Sequence, residues 1–414
     1  MSRVRWTVLG ALVLVLLAVV VGVFLGHGRT FAGAAPLFAY WLPHVGVGTP
    51  AALLVAVLVI AKGPELADRL PWRRALGAGY LVAVAWTISL ALVDGWDRGF
   101  AGRLTTSDEY LHEVPGVTDV GALLRGFSAR ILDHQPDSWT THVSGHPPGA
   151  LLAFVGLDRI GLSGGAWAAL LCVLVGGLTA VAVPVTLRAW GNDEAAARAV
   201  LPFAVLFPGA VWIGVSADGL FAGVTACGIA LLALGRPLLA GLLLGLGIFL
   251  SYGLVLVGAI ALVVAWRQWR ALASAALAAV VVVAAFAVAG FWWLDGYHLV
   301  VERYYQGIAS QRVYYYWAWA NLAAALLAAG LAPVASLAAA RRSPAFWLAG
   351  AALAAILFAD LSGLSKAEVE RIWLPFTVWL TAATAFLPAA TRKRWLVVQA
   401  GTALVVNHLL LTNW

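Results

Sequence analysis

Apolar runs of about 17 to 25 residues recur from one end of this chain to the other, and each is long enough to cross roughly 30 Å of hydrocarbon as a helix. About thirteen can be counted. No soluble architecture accommodates that pattern. With 63% of 414 residues hydrophobic and 11% charged, there is too little polar side chain to solvate a globule of this size. The expected fold class is therefore all-α, a polytopic membrane protein. Cys172 and Cys227 both fall inside apolar runs without a partner motif, which argues against a disulfide framework or a thiolate metal site. The net charge of +7 fits cytoplasmic loops that fix orientation and gives no reason to expect a nucleic-acid partner. The run Val8 to Leu25 follows Arg3 and Arg5 as a signal peptide would, yet it is longer than a usual signal core and reads as a retained first helix.

One stretch breaks the apolar monotony. From Asp94 to Gly149 the chain is polar, holding eight of the nineteen acidic residues and four of the eight histidines. The division that follows is 1–93 as N-terminal spans, 94–165 as a large external loop with juxtamembrane helices, and 166–414 as a helical core with external loops at 294–316 and 362–371. Spans are expected near 6–25, 48–61 and 74–93, with a basic inside loop from Lys62 to Arg74. Further spans are expected near 166–187, 196–214, 218–234, 238–250, 253–266, 271–293, 317–339, 345–361, 372–389 and 395–412. The segment 31–44, with Pro36, Pro43 and His44, reads as interfacial or re-entrant beside the second helix.

Pro147 to Ile160 decides the topology. It has about eleven apolar residues before Asp158, too few to span, so an external interfacial helix is expected. With the N-terminus cytoplasmic, sixteen bases and four acids then fall inside and ten bases and fifteen acids outside, giving +12 against −5. If that segment spanned, every later basic loop would move outside, against the positive-inside rule. The Ala-, Val-, Leu-, Arg- and Trp-rich, lysine-poor composition suggests a high-GC bacterial gene, so a bacterial cell membrane is expected, with the chemistry on its external face.

The candidates all lie on that face. Asp108 and Glu109 precede His112 and Glu113; on a helix Asp108 would share a face with His112, and a carboxylate there could serve as general base or belong to a solvated loop. A divalent metal held by Asp108, Glu109, His112 and His146 is compatible with the residue types, but no spacing specifies it. His146-Pro147-Pro148-Gly149 reads as a helix entry that fixes His146 at a cavity mouth. Asp218, after Gly214, Ser216 and Ala217, is a carboxylate at the edge of membrane depth, where an acid is costly. Tyr252 lines an expected external break between two short helices. Arg303 and Tyr304 begin a cationic and aromatic segment that suits either an interfacial belt or a sugar and headgroup platform. Lys366 and Arg371 are cations on an acidic face; a lipid-linked phosphate would account for them, and so would pairing with Glu368 and Glu370.

With Asp108-Glu109, His146-Pro147-Pro148, Asp218 and Glu370-Arg371-Ile372-Trp373-Leu374-Pro375 in this order and on one side, the chain resembles the GT-C superfamily of membrane glycosyltransferases. The branch it is similar to contains protein O-mannosyltransferases and lipid A aminoarabinose transferases. The likeness runs from about Asp94 onward. It differs in having two or three apolar segments before the insert, an extra Trp96-Asp97 region, and no sizeable C-terminal soluble domain. Of Asp97, Asp108 and Glu109, the resemblance favours Asp108 or Glu109 as base. It implies a polyprenyl-phosphate sugar as donor, a protein, glycan or lipid hydroxyl as acceptor, and inverting displacement. Substrate contacts would come from His146, Asp218, Tyr252, Arg303, Tyr304, Lys366 and Arg371. The rival expectation is a transporter or flippase of a lipid-linked substrate, which would carry charged or discontinuous helices at the midplane and internal pseudo-symmetry.

Overall fold

The computed structural model describes residues 2–191, 193–214 and 216–413. It is all-α in its core, and six helices are long and apolar enough to cross a membrane: Arg3–Leu25, Thr49–Arg69, Trp72–Asp94, Gly165–Gly191, Trp269–Val288 and Pro344–Leu361. The chain is a multi-pass membrane protein. A seventh span is counted if Tyr314–Ala329 and Leu331–Leu337, bent by 101°, form one unit. Ala217–Ala233, Pro237–Leu250, Tyr252–Val264 and Leu374–Phe386 are shorter apolar helices. Against about thirteen expected segments, six helices, or seven with the bent pair, are long and apolar enough to span, and the other apolar stretches are shorter or broken.

The breaks have local causes. At Gly330 the backbone adopts φ 85°, and a Cβ there would lie 2.3 Å from Gln399 Oε1. Gln399 occupies that space and repairs the ladder, its Nε2 donating to Ala329 O at 2.9 Å and its Oε1 accepting from Ala332 N at 3.4 Å. A bend inside an apolar bundle survives because a neighbouring side chain takes over the freed backbone groups. Between Pro237–Leu250 and the turn starting at Tyr252, Ser251 is extended, which gives the expected break.

Three expectations are corrected. The second helix does not stop near residue 61 but runs through Pro64 to Arg69, so part of the basic stretch is helical. The 294–316 region is not an open loop, because Trp293–Gln306 forms a helix. Asp108 to Glu113 is not an α-helix either; Tyr110–His112 and Val114–Gly116 are separate 3-10 turns, so the i, i+4 face of Asp108 and His112 does not exist. The segment 31–44 contributes strand β1 (Ala39–Trp41), which pairs antiparallel with β2 (Leu410–Thr412), an arrangement no local pattern announced.

Side-chain contacts sort the loops into two ends. At one, Arg198 Nη1 reaches Ala67 O and, at 2.9 Å, Leu70 O, while Arg188 pairs with Glu194 at 2.7 Å, and Gly191 packs on Pro344. The other end gathers 94–164, the start of Ala217–Ala233, and the 307–316 and 362–373 stretches. The Pro148–Arg159 helix forms as expected, entered through Pro147 and Pro148 and packed so closely on Phe249 that only a glycine fits at 149.

Candidate functional site

The second end is built around a buried chain of charges. Glu109 lies in extended backbone just before Tyr110, whose buried ring packs near His142, His146 and Phe154. His142 sits on the one-turn helix Thr141–Ser144, tied to the acidic loop by its N–H donating to Asp108 O at 3.0 Å. Its Nδ1 is 2.9 Å from Glu109 Oε1, and its Nε2 is 3.2 Å from Arg371 Nη2. A guanidinium only donates, so Nε2 accepts and the ring proton sits on Nδ1, the nitrogen nearer Glu109.

Arg371, on the short helix Val369–Ile372, is the hub. Its Nη1 donates to Asp218 Oδ2 at 2.7 Å and its Nη2 to Glu368 Oε2 at 2.9 Å. Glu368 in turn takes Arg312 Nη2 on Oε1 at 2.9 Å, and Arg312 Nη1 donates to Lys366 O at 2.7 Å. Glu109, Asp218, Arg371 and Arg312 are each 5% exposed or less. Such ions persist in the interior only when paired and hydrogen-bonded.

The electrostatics follow from that packing. Burial works to raise the Glu109 carboxyl, but His142 beside it, with Arg371 and Arg103 beyond, holds it below the ordinary range. Burial likewise opposes ionisation of Glu368, and Arg312 and Arg371 overcome it, bringing the carboxyl down to about 2. Burial disfavours the Arg371 cation, yet Asp218, Glu368 and Glu109 outweigh it and hold the guanidinium above its usual value. Burial lowers His146 to about 4 against the pull of Asp218; its Nδ1 donates to His142 O at 2.8 Å.

The loop that presents Glu368 is strained. Ala367 and Glu368 both adopt left-handed backbone, at φ 69° and φ 63°, a conformation that costs a non-glycine residue about 1–2 kcal/mol. It persists because its amides and carbonyls are spoken for. Asn321 Oδ1 accepts from Ala367 N at 3.2 Å, Tyr304 Oη accepts from Lys366 N at 2.8 Å, and Arg312 holds Lys366 O. The next carboxyl, Glu370, is fully buried and accepts from Phe38 N at 2.8 Å, docking the 31–44 segment onto this loop. Burial pushes it up to about 7.

Of the residues singled out from sequence, the structure joins Glu109, Asp218 and Arg371 in one network, with His146 and Tyr304 in its wall. Arg303 is close by, its Nε donating to Ser144 Oγ at 3.2 Å while its Nη1 pairs with Asp133. Asp108 is exposed, and Thr141 Oγ1 donates to its carboxylate at 3.3 Å. Lys366 turns elsewhere: its ammonium donates to Ala309 O at 2.9 Å and lies over the Tyr305 ring. Tyr252 packs against Trp293 and Tyr297 rather than the network. Asp97 is exposed on a separate turn. His112 is exposed too, and among the described residues no three of His, Cys, Asp and Glu are grouped to hold a metal ion, so the metal set considered from sequence does not assemble. His142 was missed and carries no local signal, since its partner Arg371 lies 229 positions away, while Arg312 lies in the cationic and aromatic segment that the sequence marked, without being chosen as a site residue itself. An open cleft of about 530 Å³ at this end is lined by Ser128, Ala129, Leu132, Asp295, His298 and Leu299, none of them in the network.

The class defined here is a multi-pass, all-α membrane protein with a buried ionic network at one end of its bundle. No protein-family model and no curated protein sequence matches the chain. Among solved structures it is similar to the crystal structure of ArnT from Cupriavidus metallidurans in the apo state, at 19% identity and a TM-score of 0.47, over 75% of this chain. The chain spans 60% of the length of that protein. A likeness this loose assigns no chemistry to individual residues.

Proposed function

We propose that this chain is a GT-C-type membrane glycosyltransferase moving a monosaccharide from a polyprenyl-phosphate donor to an acceptor hydroxyl at the external face of a bacterial cell membrane. The observation that carries the reading is the convergence of Glu109, His142, Asp218, Glu368 and Arg371, from distant stretches of chain, beside exposed Asp108. Such a reaction needs two opposite features within one site, cations for a departing phosphate and a carboxylate for the acceptor proton.

Asp108 is assigned as the base, because its carboxylate is reachable from outside and lightly held, whereas Glu109 is buried and committed to His142. Glu109 is then a positioning residue that orients His142 and, through it, Arg371. The acceptor proton passes to Asp108 as the acceptor oxygen bonds to the anomeric carbon. The carbon–oxygen bond to phosphate breaks with its electron pair leaving on the phosphate, and the anomeric centre inverts. Arg371 stabilises that charge, and Arg303 and Lys366 join it by leaving Asp133 and Ala309 O. Asp218, His146 and Tyr304 shape the wall, and the donor's lipid lies among the helices.

The test uses purified protein in nanodiscs with a panel of polyprenyl-phosphate sugars and acceptors from membrane extract. Asp108→Asn is expected to lose transfer by a factor of roughly 10² or more, as removal of a general base does, with stability unchanged. Glu109→Gln should lose both. No transfer by the wild type with any donor, undiminished transfer after both substitutions, or lipid movement without transfer would each overturn the assignment.

A further inference from the structure

We propose that Arg312 and Arg371 form an anion site for the phosphate of a polyprenyl-phosphate ligand, and that Glu368 is a built-in anion occupying it until the ligand displaces it. The ligand class rests on the glycosyltransferase reading; the displaceable carboxylate rests on geometry alone. Each oxygen of Glu368 takes one guanidinium, Oε1 from Arg312 and Oε2 from Arg371, both at 2.9 Å. A carboxylate spanning two arginines in this way occupies the position that two non-bridging phosphate oxygens would take, since guanidinium donors suit both anions.

Three further features distinguish this from an ordinary structural ion pair. Glu368 is the outermost member, its side chain 17% exposed against 4% for Arg312 and 7% for Arg371, so an incoming anion meets it first. The carboxylate is delivered by two consecutive left-handed, non-glycine residues, the kind of strained turn that the surrounding structure must over-determine and that clusters at ligand sites. Arg312 Nε is buried without a hydrogen-bond partner among the described residues, a third donor that Glu368 does not use.

The charge balance favours exchange. A phosphodiester and a carboxylate each carry one negative charge, so substitution leaves the total of the cluster unchanged. After transfer the lipid phosphate is a monoester with up to two charges. It then faces Asp218 and Glu109 as well as the returning Glu368, which favours its release. Lys366 does not supply this site in the resting state, because its ammonium is held by Ala309 O.

Binding is measured with full-length protein in nanodiscs, using polyprenyl phosphate, neutral polyprenol and inorganic phosphate as probes. Glu368→Gln is expected to tighten polyprenyl phosphate about tenfold or more, the scale of removing one competing charge-assisted contact. Polyprenol binding should not change, and Arg312→Gln added to Glu368→Gln should erase the gain. Tightening of inorganic phosphate as well supports a site that reads the headgroup alone; tightening of the lipid only supports one that also needs the chain. Unchanged or weaker phosphate binding by folded Glu368→Gln, or an equal gain for polyprenol, overturns the proposal. If Glu368→Gln does not fold, Glu368→Asp carries the test, since its shorter arm releases one arginine and should tighten binding partially, and no tightening counts against the site. Transfer is not read in this assay, so binding without activity would remove the transferase reading and leave the anion site standing.

Discussion

Replacing Asp218 by Asn removes one of the two carboxylates bonded to Arg371 while keeping its shape. Both partners are nearly dry, with side chains 4% and 7% exposed, and breaking such a pair costs about 3–5 kcal/mol because the remaining charge stays buried. Arg371 keeps Glu368 at 2.9 Å, so Asp218→Asn belongs at the lower end, about 3 kcal/mol. Arg371→Met is worse. It leaves Asp218 buried without its cation and His142 Nε2 without its donor, which puts the loss at the upper end, about 5 kcal/mol. The double variant should recover about 1–3 kcal/mol relative to the sum, since both single changes break the same contact. Equilibrium unfolding in mixed micelles, extrapolated to zero denaturant, reads these differences. A wild-type-like Asp218→Asn, within about 0.5 kcal/mol, or strict additivity of the two changes, would refute the idea that this pair organises the site.

Glu370 predicts a pH dependence. Its folded carboxyl is raised to about 7 from an ordinary 4.5, so between those values the folded state binds the proton that the unfolded state has lost, and stability falls as pH rises through the window. Glu370→Gln can still accept from Phe38 N and should equal the wild type near pH 4.5 while exceeding it at pH 8; thermal unfolding at both values checks this, and a constant difference would count against it. Gly149→Ala should cost about 1–3 kcal/mol by overpacking, because the added Cβ would meet Phe249 O at 2.4 Å. The displaced helix carries His146 with it, so transfer should fall in parallel, and an unperturbed unfolding curve would show that the two helices are free to part.

Much of this protein is legible in its sequence because the bilayer reads composition directly. Apolar run length placed most helices within a few residues, and the short run Pro147 to Ile160 forms a correspondingly short helix of 12 residues. Asp218 and Arg371 were legible for a related reason. An ion in an apolar chain is expensive, so its presence asks for a partner. Which partner it finds is another matter. Asp218 meets Arg371 across 153 positions and His142 meets Arg371 across 229, and no periodicity extends that far. The bend at Gly330 waited on Gln399, and β1 waited on the end of the chain, for the same reason. Hydrophobic length is a local quantity that a sequence states outright. The pairing of buried charges is decided only when helices distant in sequence pack side by side and leave each ion one neighbour able to satisfy it.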